Sequence, residues 1–153
     1  MRRSLIGTMM TASVIGLSLM ATGAKVIQHT GSPDTRQRVR LPPAGRDKVL
    51  AEMRTMLGSV SAILQALTAN DLLSVERAAR ASGMAMAADV DPQVEKHLPK
   101  PFLDLGMKTH QGFDELADRV KAGGTRDEVI QQLARLTANC VACHTIYRID
   151  EAP

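Results

Sequence analysis

Val49, Met53, Met56, Val60, Ile63 and Leu67 recur at spacings of 4, 3, 4, 3 and 4. That recurrence places one continuous apolar stripe along a helix and has no counterpart in a strand, whose faces alternate with period two. Leu50, Leu57 and Leu64 widen the stripe, so the helix is expected to face a bundle interior. Near "TAND" the pattern breaks, and Asn70 or Asp71 can cap a second helix running from about Leu72 to Ala88. "DVDPQVEKHLPKP" then reads as a long proline-bounded connection. A third helix is expected from about Phe102 through Leu105, His110, Phe113, Leu116 and Val120 until "AGG". The fourth opens with "TRDE", a capping box of Thr125 and Glu128, and carries the stripe Val129, Leu133, Leu136, Cys140, Cys143 and Tyr147. No alternating strand pattern is visible, so the expected fold is all-α, an antiparallel four-helix bundle.

Composition agrees with helix over strand. Ala, Leu, Met, Glu, Lys and Arg are frequent, whereas two Phe and one Tyr are the only aromatic residues. Such a core is built from aliphatic side chains and Met. The 153 residues allow one domain.

The first 45 residues have a different character. Arg2 and Arg3 precede an uncharged run from Leu5 to Ala24 that ends in small residues, so residues 1–24 are expected to be a secretory signal peptide and the product periplasmic. The same run is about long enough to span a bilayer, and an uncleaved anchor is the competing reading. Residues 25–45 hold three prolines and four cations (Lys25, Arg36, Arg38 and Arg40) against Asp34, and are expected to be a flexible basic linker. From Arg46 onward there are 13 Lys plus Arg and 15 Asp plus Glu. The positive balance therefore lies outside the expected domain, residues 46–150, and nucleic acid is not an expected partner.

Both cysteines stand in "CVACH", with His144 directly after Cys143. Cys140, Cys143 and His144 fit C-x-x-C-H, the signature of covalent c-type haem attachment. The chemistry needs two thiols that reach two vinyl carbons on one haem edge and an imidazole from the same helical face, which positions i, i+3 and i+4 supply. A thioredoxin-like pair would need a helix N-terminus to lower a thiol pKa, and these thiols lie toward a C-terminus. A structural zinc site would need two more well-spaced ligands.

The string "CVACHTIYR" near the end of the last helix resembles the class II cytochromes c, comprising cytochrome c′ and its low-spin, methionine-ligated relatives. The resemblance covers Arg46 to Asp150 and implies a haem c held by Cys140 and Cys143, with His144 as proximal iron ligand and Arg148 packed beside the haem. It implies further that a side chain of the first helix faces the iron. Distance to the end of that helix favours Met53, whereas the offset from Arg46 favours Leu50; Met53 is taken as the metal ligand, with Met56 a neighbouring candidate. A methionine gives an electron carrier that is not an enzyme. An apolar residue instead gives a five-coordinate iron open to nitric oxide or other small gases. His110, on the inward stripe, is expected to be a core or hydrogen-bonded residue that could lie near the haem, and His29 and His97 to be solvated. Met84 and Met86 are expected in the core or in a homodimer seam. The redox partner is not readable.

Overall fold

Pro43, at the first turn of the longest helix among the described residues, needs no backbone partner for its missing N–H and presets the helical φ. From it α1 runs over Pro43–Thr68. The computed structural model describes residues 33–88 and 91–152, and the elements below belong to the unit Asp34–Pro153. The expected signal peptide or anchor (1–24) and the first part of the expected linker lie outside the described residues.

The chain is mostly helical. After α1 come α2 (Leu72–Arg80), α3 (Met84–Ala87), α4 (Pro92–Glu95), α5 (Lys100–Lys121) and α6 (Arg126–Ile146). Asp71 caps α2 by accepting from the Ser74 amide at 3.0 Å. Asn70 beside it adopts φ 56, the left-handed conformation Asn tolerates, and turns the chain between α1 and α2. Thr125 and Glu128 form the expected capping box, with the Thr125 amide donating to Glu128 at 2.7 Å and the Glu128 amide donating to Thr125 at 3.3 Å.

Two strands complete the unit: β1 (Gln37–Leu41) and β2 (Tyr147–Glu151). They pair in parallel, Gln37 opposite Tyr147 and Leu41 opposite Glu151. The crossover between them comprises α1 to α6. β1 corrects the linker expected over residues 25–45 and, with β2, the expectation of an entirely strand-free chain. Val39 and Leu41 are buried while Arg38 and Arg40 are exposed, so the segment does alternate. Its partner strand is more than a hundred residues away, which is why the local pattern looked aperiodic.

The second expected helix is shorter than its apolar run. It stops at Arg80, and the chain turns through Ser82 and Gly83 before α3 begins. A Cβ at Gly83 would lie 2.6 Å from Cγ of Asp114, so the turn can approach α5 only at a glycine. The proline-bounded connection also holds a helical turn, α4, capped by Asp91 on the Gln93 amide at 2.8 Å.

Two apolar clusters form the core. In the first, Ile63 and Leu67 of α1, Val75 of α2, Phe113 and Leu116 of α5, and Val129 and Leu133 of α6 interlock. Each such side chain contributes on the order of 1.5–3 kcal/mol by leaving water. Val39, Leu41, Val49, Val94, Phe102 and Tyr147 make the second, where the Phe102 and Tyr147 rings meet edge to face at 5.4 Å. Leu57 and Leu64, expected to widen the buried stripe, are 69% and 50% exposed. Leu57 nevertheless lines the cavity described below.

Candidate functional site

Helix α1 packs on α2, α2 on α5, and α5 on α6. Toward the end of the unit that carries the second cluster, α1, α5 and α6 instead surround a cavity of about 500 Å³. Its α1 wall presents Val49, Leu50, Met53, Met56 and Val60. Its α5 wall presents Phe102, Leu105, Gly106, Thr109, His110 and Phe113. Thr137, Cys140, Cys143 and His144 come from α6. The walls are mainly carbon, and the size is that of a site for an organic ligand. At Gly106 an added Cβ would meet nothing within 4 Å, so this wall is open to a flat group laid against it.

Cys140 and Cys143 are half-buried free thiols. Burial pushes both above the ordinary thiol pKa, so they stay protonated at neutral pH. This is the opposite of the lowered pKa that a dithiol redox pair requires. His144 is exposed and follows them on the cavity side of α6. Met53 packs on the same cluster as Cys143, whereas Met56 packs on the deeper cluster that contains Phe113. Leu50, Met53 and Met56 all line the cavity.

Arg148 departs from its expected position. Helix α6 ends at Ile146, so Arg148 is not a helical turn past His144 but the second residue of β2. Strand alternation sends Tyr147 and Ile149 into the apolar cluster, and Arg148 is not among the residues lining the cavity. Its guanidinium lies 3.8 Å from Asp34 and 3.6 Å from Asp150, while its buried Nε lacks a hydrogen-bond partner.

His110 is both buried and hydrogen-bonded. It is 5% exposed, lines the cavity, and donates from Nδ1 to the Ser82 carbonyl at 2.9 Å. Ser82 is itself held by Ser59, Oγ to Oγ, at 2.8 Å. Below this turn Asp114 accepts from Arg80 at 2.9 Å and from the Met84 amide at 2.8 Å. Asp118 pairs with the same arginine. Burial pushes the Asp114 pKa up, but the Met84 amide and the Arg80 guanidinium outweigh it and hold the carboxyl below the usual range. Sequence patterning placed His110 on the inward stripe, but nothing local could supply its partner, 28 positions away.

His97 is exposed, as expected, and His29 lies outside the described residues. Met84 is exposed at 37% and Met86 is half-buried. Among the described residues, no three His, Cys, Asp or Glu side chains gather into a site able to hold a metal ion by themselves. Also among the described residues, no helix is long and apolar enough to cross a membrane. Comparisons with protein-family models, curated proteins and solved structures found no match.

Proposed function

We propose that this chain is an exported c-type cytochrome that carries single electrons, built as an antiparallel four-helix bundle of α1, α2, α5 and α6. One observation carries the reading: Cys140, Cys143 and His144 line one wall of a carbon-walled cavity of about 500 Å³ whose α1 wall bears Met53. The neighbour packing of α1 on α2, α2 on α5 and α5 on α6, with short turns at Asn70 and Gly123, supports the bundle. Membership of the class II cytochromes c rests on "CVACHTIYR" and this arrangement together.

The residues present fit a haem c. Cys140 and Cys143 would hold it as thioethers, His144 would be the proximal ligand, and Met53 would face it from α1. When bound, the group supplies an iron that alternates between ferric and ferrous states. The protein's own work is to hold and to exclude. Val49, Leu50, Phe102 and Leu105 keep water from the interior, so charge at the site is felt through a medium of low dielectric. A soft thioether from Met53 suits a ligand set retained in both oxidation states and raises the potential relative to paired imidazoles. Burial keeps both thiols protonated, which disfavours thiolate-driven disulfide exchange as a competing use. The protein makes and breaks no substrate bond in this function, and it is not an enzyme. Secretion to the periplasm and an unidentified redox partner belong to the same proposal.

Absorption spectra of the ferric and ferrous protein test it, together with a potentiometric titration. A low-spin spectrum in both states and a one-electron Nernst curve are expected. A high-spin spectrum that changes on adding nitric oxide would replace electron carriage with gas binding, with Leu50 as the apolar cover.

A further inference from the structure

The last carbonyls of a helix have no partner within it, and at the end of α6 one of them belongs to His144. Its donor comes from 108 positions earlier: Nη1 of Arg36 lies 3.2 Å from the His144 carbonyl and 3.5 Å from that of Tyr147. The other edge of the guanidinium is held by Asp34, Nε to Oδ1 at 3.0 Å and Nη2 to Oδ2 at 2.8 Å. The Arg36 amide donates to the same carboxylate at 3.1 Å, which locks the two residues into one turn. Directly after that turn, β1 enters its pairing with β2 at Gln37 and Tyr147. A planar fork that binds a carboxylate on one edge and backbone oxygens on the other is a task lysine cannot repeat.

We propose that Arg36, oriented by Asp34, is a positioning residue that holds the His144 backbone and turns the cationic end of the Asp34–Arg36 ion pair toward the C-terminal end of α6. The inference rests on the reading of His144 as an iron ligand and adds a segment outside the expected haem domain to its support. A cation at that end complements the helix dipole and opposes the extra positive charge of the ferric state. Arg36 therefore favours the ferrous form and keeps the terminal turn of α6 closed.

The test compares full-length protein carrying Arg36→Gln, Arg36→Lys or Arg38→Gln with wild type, by two readouts. Arg38 is a suitable control because it lies two residues further on, in β1, and pairs with Asp150 instead. In the first readout, Arg36→Gln shifts the ferric/ferrous equilibrium toward ferric by about two- to fivefold at low salt. The shift shrinks at high salt, Arg36→Lys recovers part of it, and Arg38→Gln leaves it unchanged. In the second, amide hydrogen exchange over residues 144–148 quickens in Arg36→Gln and does not in Arg38→Gln. Equal effects of Arg36→Gln and Arg38→Gln on both readouts would overturn the proposal, as would unchanged exchange in Arg36→Gln. Exchange needs no haem: faster exchange in a protein lacking haem supports the clamp while removing the haem reading.

Discussion

Nδ1 of His110 donates to the Ser82 carbonyl oxygen across 2.9 Å, in a place where neither residue is more than 5% exposed. A carbonyl can only accept, so Nδ1 carries a proton in this contact. The contact ties the wall of the cavity to the turn between α2 and α3. Replacing His110 with Leu leaves the Ser82 carbonyl buried without a donor, at a cost of about 1–3 kcal/mol. Urea unfolding should show the loss as a lower midpoint at unchanged slope. His110→Gln, which retains an N–H, should recover part of it.

Asp114 gives the same turn a dependence on pH. Its folded pKa lies below the ordinary carboxylate value because the Met84 amide and Arg80 overcome the opposing effect of burial. Folding therefore favours the ionised form. That contribution is complete above the unfolded pKa near ~4 and is lost as pH falls through the lower folded value. Unfolding midpoints measured downward from pH 6 should decline in acid, and Asp114→Asn should flatten part of that decline.

Met53 and Met56 differ in surroundings although both border the cavity: Met53 shares a cluster with Cys143, Met56 one with Phe113. Met53→Leu nearly conserves volume and should cost less than about 1.5 kcal/mol in stability. It should also convert a low-spin spectrum to high-spin and allow carbon monoxide to bind the ferrous protein. Met56→Leu should leave the spin state alone. A spin change in Met56→Leu only would move the ligand assignment to Met56.

The elements that were legible in the sequence are those whose signals are local. The 4-3-4 spacing from Val49 to Leu67 lies within α1, and Thr125 and Glu128, three positions apart, form the capping box of α6. What escaped depends on partners far along the chain. "RVRL" alternates over only four residues beside two prolines, and its meaning comes from β2. The end of α2 was hidden because "SGMAMAA" is rich in helix formers, while the close approach of Gly83 to Asp114 dictates a turn. Within the candidate site, Cys140, Cys143 and His144 declare themselves by spacing. The face that Arg148 takes was not legible because it lies two residues past the end of α6: beyond Ile146 the period changes from 3.6 to 2.

Covalent haem is the central claim, and intact mass under denaturing conditions measures it most directly. The protein should be produced in a host whose periplasm contains haem-attachment machinery, extracted with acid acetone and unfolded before measurement. The account predicts a chain heavier by one haem, coloured after extraction, with no free thiol at Cys140 or Cys143; the double replacement of both cysteines by Ala should abolish the added mass. A colourless chain of unmodified mass with two titratable thiols would contradict it.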